Sequence, residues 1–92
     1  MEKVYSIWKF KLSGEVSQKI SIPKEAKILS VEIQHNEMVV YAMVNTTIKE
    51  TEQRKFRIIG TGDTTDASIN NYVFLGTVLM ADGEYVFHVF YQ

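Results

Sequence analysis

Residues 60–66 of this 92-residue chain, Gly60-Thr61-Gly62-Asp63-Thr64-Thr65-Asp66, hold the residue types best suited to gripping a ligand. Two glycines let backbone N–H groups approach a bound molecule closely, and the neighbouring hydroxyls and carboxylates can hydrogen-bond a ribose or the edge of a base. Just upstream, Lys55 and Arg57 alternate with Phe56 and Ile58, so both cations share one face of a strand. A planar guanidinium there suits phosphate or carboxylate. Lys55, Arg57, Gly60, Thr61, Gly62, Asp63, Thr64 and His88 are therefore the candidate site for a small, anionic, nucleotide-like ligand. The stretch departs from a phosphate loop, because no Gly-Lys-Ser/Thr ending appears and no clear helix follows. The simpler reading of Gly-Thr-Gly at a strand end is a bulge and turn, with the ligand role as the alternative.

Catalysis has much less to work with. A nucleophile and base need Ser, Thr or Cys beside His, and the chain offers only His35, in a predicted turn, and His88, in mid-strand among aromatics. Two separated histidines and scattered carboxylates give no metal-ligand spacing. No catalytic residue, metal or cofactor is expected. His88 reads first as an imidazole held by a neighbouring hydrogen bond, and second as a ring that stacks on or bonds a ligand.

The elements that must position these residues are all strands. Residues 4–12 alternate, with Val4, Trp8, Phe10 and Leu12 on one face and Lys9 and Lys11 on the other. Trp8 reads as a core anchor, with a stacking surface as the alternative. Residues 18–22 point Ile20 and Ile22 inward and stop at Pro23, which cannot donate to a ladder. Residues 27–34 place Leu29, Val31 and Ile33 together. His35-Asn36 predicts a tight hairpin turn, and residues 37–45 are apolar on both faces, as a central strand requires. Residues 46–53 read as a polar loop with room for a helical turn, 54–60 as a strand, and 61–71 as a second polar loop.

The closing segment is a hairpin of residues 72–80 and 84–91 around Ala81-Asp82-Gly83, apolar on both faces. Burying both faces takes a layer above and a layer below, and the chain has no convincing amphipathic helix to provide one. Another subunit or a partner is the expected cover. Tyr41, Tyr72, Tyr85, Phe87 and Tyr91 are the candidate interface residues, because such rings suit the boundary between apolar surface and water. About seven strands in a meander predict a small all-β sandwich or partly closed barrel, built as a single domain over residues 1–92.

Composition narrows the function classes. Ten Lys and Arg against eleven Asp and Glu give a net charge of −1, which argues against a dedicated nucleic-acid binder. The charge is uneven: up to Lys27 the cations Lys3, Lys9, Lys11, Lys19, Lys24 and Lys27 outnumber Glu2, Glu15 and Glu25. That surplus reads as a solvated strand face and edge protection, with an anion-facing patch as the alternative. Cysteine is absent, so disulfides and thiolate metal sites are unavailable. Met1 to Ser6 lack the basic start and uninterrupted apolar stretch of a signal peptide and no apolar run reaches membrane length, so an intracellular location is expected.

The blocks Ile7-Trp8-Lys9-Phe10, Ala26-Lys27-Ile28-Leu29-Ser30-Val31, Gly60-Thr61-Gly62, Leu75-Gly76-Thr77 and Val86-Phe87-His88-Val89-Phe90 together resemble a family of small uncharacterised proteins encoded by phages and prophages. The resemblance implies a phage protein working in a bacterial cytoplasm, with no established activity. By analogy with other small phage proteins, it raises two expectations. The first is a non-enzymatic homo-oligomer that captures a nucleotide-like ligand as a counter-defence. The second is an interaction module that inhibits a host defence protein through its aromatic strand face.

Overall fold

Strand periodicity and left-handed turns set the architecture. The computed structural model describes residues 2–92 as β1 (Tyr5–Lys11), β2 (Ser17–Pro23), β3 (Lys27–Gln34), β4 (Glu37–Asn45), β5 (Thr51–Gly60), a short 3₁₀ segment (Ala67–Asn71), β6 (Val73–Met80) and β7 (Tyr85–Tyr91). Neighbouring strands are all antiparallel. They form a three-stranded sheet in the order β1-β4-β3 and a four-stranded sheet in the order β2-β5-β7-β6. The result is a sandwich-like fold, not a closed barrel. The β3–β4 hairpin turns on His35 and Asn36, whose φ angles of 52° and 63° are the positive values such a turn demands. The β6–β7 connection has three left-handed residues in a row, Ala81, Asp82 and Gly83, and includes Glu84, so pairing resumes at Met80 and Tyr85.

The core lies between the sheets. Phe56, Ile22, Val40, Val44 and Val89 are its largest fully buried side chains, joined by Ile28, Val31, Ala42, Ile58 and Val78. The sheets approach closely where β3 meets β6: a Cβ on Gly76 would lie 3.1 Å from Val31 Cγ1.

Several expectations change at this level. The chain itself covers the inner face of the closing hairpin, because Val78 and Val89 pack into the core against the first sheet. No outside layer is needed there. Residues 51–53 belong to β5 and pair with Ile22 and its neighbours, despite their polarity, because β2 offers them a ladder. A register shift between Ile28 and Ser30 turns Ile28 inward and leaves Leu29 37% exposed, reversing the predicted face at that point. Trp8 is 43% exposed and Val4 is exposed, because β1 is an edge strand that packs chiefly against β4. By contrast β4 is central, as expected. On its outer face Val39 is only 3% exposed, roofed by a bond from Lys9 Nζ to Gln34 Oε1 (2.7 Å) that reaches from β1 to β3.

Candidate functional site

The outer face of the four-stranded sheet carries the polar chemistry. In the β2–β5 ladder Ser17 faces Arg57 and Lys19 faces Lys55, and alternation places all four on the side away from the core. Lys19, Lys55, Arg57 and Tyr72, with Glu15, Ser17 and Gln18, line an open cleft of about 450 Å³. Neither lysine forms an ion pair with any of the described residues, Glu15 included. Directly opposed like charges in a ladder are destabilising, so the pair is an uncompensated cationic feature.

Arg57 lies deeper, with its side chain only 13% exposed. Its Nη1 donates to Ser68 Oγ (2.9 Å), Asp66 Oδ1 (3.3 Å) and Thr65 Oγ1 (3.4 Å), and its guanidinium carbon sits 4.8 Å from the centre of the Tyr72 ring. These contacts fasten the segment after β5 onto the sheet. The buried Nε has no acceptor among the described residues. Beyond Tyr72 a second open cleft of about 460 Å³ is lined by Ile59, Ile69, Phe74, His88 and Phe90, with Thr65 and Asn70. Phe74 and Phe90 meet edge to face at 5.4 Å. Tyr72 is common to both clefts, so one face holds a cationic patch beside an aromatic trough.

These observations define a site without an activity attached. A family model described as a domain of unknown function (DUF7352) matches residues 3–92. The chain belongs to the DUF7352 family. No curated protein and no solved structure matches it.

Other candidate residues of this DUF7352 domain are used internally. Gly60, Thr61, Gly62 and Asp63 form a closed turn in which Asp63 N–H donates to Gly60 O (3.0 Å) and Thr61 N–H to Val86 O (3.1 Å). Gly62 takes a φ of 90°, the left-handed value that favours glycine. Thr61 Oγ1 and Thr77 Oγ1 lie 2.7 and 2.9 Å from His88 Nε2 and Nδ1. A neutral imidazole satisfies both contacts by donating through one nitrogen and accepting at the other. Gly60 to Thr64 line neither cleft, and His88 meets the trough as a ring already held in place. No group of three or more His, Cys, Asp or Glu among the described residues is placed to hold a metal ion.

The candidate interface residues are dispersed. Tyr41 lies half-buried on the outer face of the three-stranded sheet, opposite Lys9 and Ser30. Tyr91 is half-buried beneath Arg54. Tyr85, 55% exposed, stacks on Phe87 at one end of the sandwich, beside an apolar cleft of about 350 Å³ lined by Leu12, Met38, Ile58, Met80 and Phe87. No helix among the described residues is long and apolar enough to cross a membrane.

Lys19, Phe74 and Phe90 line the two clefts that share Tyr72, although nothing in the sequence singles them out as candidate site residues. Their alternation was visible, but their union with Lys55 and Arg57 depends on β5 pairing with β2 and β7.

Asp66 caps the 3₁₀ segment and gives it a pH signature. The Ser68 hydroxyl and the Ser68 backbone N–H donate to its carboxylate and, with Arg57 beside it, hold its pKa below the ordinary 3.8, against a weaker opposing effect of desolvation. The ionised form is the one favoured by folding, so its contribution is complete above 3.8 and is lost as pH falls through the depressed value. An NMR titration of the Ser68 amide is expected to show a midpoint below 3.8, and a midpoint at or above it would mean that the cap does not form.

Proposed function

We propose that this chain is a non-enzymatic binding protein for a small, anionic, nucleotide-like ligand, held on the outer face of the four-stranded sheet. The observation that carries this reading is the in-register Lys19–Lys55 pair beside Arg57, in a cleft that shares Tyr72 with the aromatic trough. An anion bound between the lysines turns their mutual repulsion into attraction, and charge-assisted bonds of this kind are the stronger ones. A planar base reaches the rings of Tyr72 and Phe74, where stacking contributes roughly 1–3 kcal/mol per base. Thr61 and His88 then serve as the support that holds the trough wall, and Arg57 positions Tyr72.

The resemblance to phage-encoded proteins supplies a setting for such a binder. In a bacterial cytoplasm, a homo-oligomer of this chain would withdraw a nucleotide immune signal from its receptor and so act in counter-defence.

Native mass spectrometry of protein purified from bacterial cells, followed by calorimetric titration with ADP and with inorganic pyrophosphate, tests the reading. A nucleotide-sized adduct or binding of ADP is expected, and Lys19→Ala with Lys55→Ala should weaken ADP by at least about tenfold. ADP binding more tightly than pyrophosphate places the base in the trough. No adduct, together with no heat from either probe at millimolar concentration, overturns the proposal.

A second reading is favoured by the exposed Tyr85 ring stacked on Phe87 beside the apolar cleft at the sandwich end. There the domain acts as an interaction module that inhibits a host protein through its aromatic strand face. Tyr85→Lys then abolishes partner binding and leaves ADP titrations unchanged.

A further inference from the structure

The two free edges of the strands β1 and β2 are chemically unlike, and the difference points to a second copy of this chain. In the β1–β4 ladder Leu12 N–H donates to Met38 O and Thr46 N–H to Val4 O, so the even-numbered residues of β1 bond inward to β4. Antiparallel alternation then turns the backbone groups of Tyr5, Ile7, Lys9 and Lys11 outward, with no strand beside them. By the same rule the outward positions of β2 are Ser17, Lys19, Ser21 and Pro23, a polar edge closed by a residue without an N–H. Sheet edges are commonly protected by lysines, prolines or bulges. β2 has a lysine and a proline, while β3 and β6 have register shifts and lie against each other.

β1 has none of these in working order. Its register with β4 is unbroken over all seven residues. Its lysines are drawn back over the sheet, Lys9 to Gln34 (2.7 Å) and Lys11 to Glu37 (2.8 Å), and Val4, Tyr5, Ile7 and Trp8 are left exposed.

We infer that β1 pairs antiparallel with β1 of a second copy about a two-fold axis at Ile7, joining the three-stranded sheets into one continuous sheet. In this register Ile7 faces its own counterpart and Tyr5 faces Lys9, an aromatic ring against a cation stem. Ser6 faces Trp8, a small residue opposite a large one, and no like charges meet between residues 5 and 9, whereas farther out Lys11 falls opposite Lys3 and confines the pairing to the central stretch. The outward groups of Tyr5, Ile7 and Lys9 gain roughly six hydrogen bonds. The exposed parts of Val4, Tyr5, Ile7 and Trp8 amount to roughly 400 Å² per copy. Edge pairing covers their flanks and leaves the sheet faces open, so the contact belongs to the small, weak class below roughly 1,000 Å². A second copy is the occupant this edge fits, because one register sets Ile7 against Ile7 and Val4 against Phe10, while Lys11 is already paired with Glu37 and so offers less to an acidic peptide.

Sedimentation equilibrium of the wild type at about 100 µM is expected to give twice the mass of one chain. Ile7→Pro removes an outward N–H and no intramolecular ladder bond, and Ile7→Lys sets two cations face to face at the axis. Each variant should keep the far-ultraviolet spectrum of the wild type and sediment as a monomer. Amide exchange supplies an independent reading, with Ile7 N–H protected in the wild type and fast in Ile7→Lys. A monomeric wild type overturns the inference, as does a dimer that both folded variants retain. Neither result bears on ligand binding at Lys19 and Lys55, which lie on the other sheet.

Discussion

Phe56→Ala is expected to lower stability by about 3–5 kcal/mol, a large part of the about 5–15 kcal/mol that holds a typical domain together. Phe56 has no exposed surface, and its strand, β5, lies between β2 and β7. Its ring faces Gln18 across one ladder and Tyr91 across the other, and it belongs to the cluster that joins the two sheets. Truncation leaves a cavity that β-ladders cannot close without losing register, so little relaxation offsets the lost contact. At about 4–8 °C per kcal/mol for a domain of this size, the melting temperature should fall by roughly 12–40 °C. Urea unfolding should show a lower midpoint with an unchanged slope. A loss below about 1 kcal/mol would mean that the sheets do not close over this residue.

Arg57→Ala should release the segment between β5 and β6 while leaving both sheets in place. The 3₁₀ turn contains no buried residue. Arg57 supplies its bonds to Ser68 and Thr65 and the surface on which Tyr72 rests. The Ser68 bond and the Tyr72 stack together contribute roughly 1–2 kcal/mol, with the exposed Asp66 left out because water screens it. Amide exchange at Ile69 and Tyr72 should therefore accelerate about tenfold. ADP binding should fall with it, because Tyr72 separates the cationic cleft from the aromatic trough and loses its fixed position. Arg57→Lys should not restore either, because a point charge cannot both lie flat on the ring and reach Ser68. Unchanged exchange would show that Arg57 does not fasten the segment, and unchanged ADP binding would remove Tyr72 from the site.

The strands were legible because alternation in β4, β5 and the closing hairpin states which residues share a face. His35-Asn36 marked its turn for an equally local reason. Leu29 was misplaced because a bulge shifts the period without any glycine or proline to announce it. Trp8 was misplaced because the pattern of an edge strand looks the same as that of a covered one until strand order is known. The candidate site was half legible. Lys55 and Arg57 were visible as a pair of cations on one face, while Lys19 joins them through a ladder between segments more than thirty residues apart. The role of Arg57 as an internal fastening depends on Asp66 and Ser68 folding back over it, and no spacing rule encodes that return.

The place of β7 between β5 and β6 has a consequence for how the chain assembles. β7 follows β6 in sequence but takes the position beside β5, so the four-stranded sheet stays split into β2–β5 on one side and β6 on the other until the last strand arrives. During that interval β5 presents an open flank to any passing strand, the kind of intermediate from which aggregation begins. Gln53, Lys55 and Arg57 line the outer face of that waiting strand, and charges so placed discourage the wrong neighbour. Placed there, Lys55 and Arg57 put like charges on the strand that must wait longest for its neighbour, and copies of a half-built sheet repel one another at that flank.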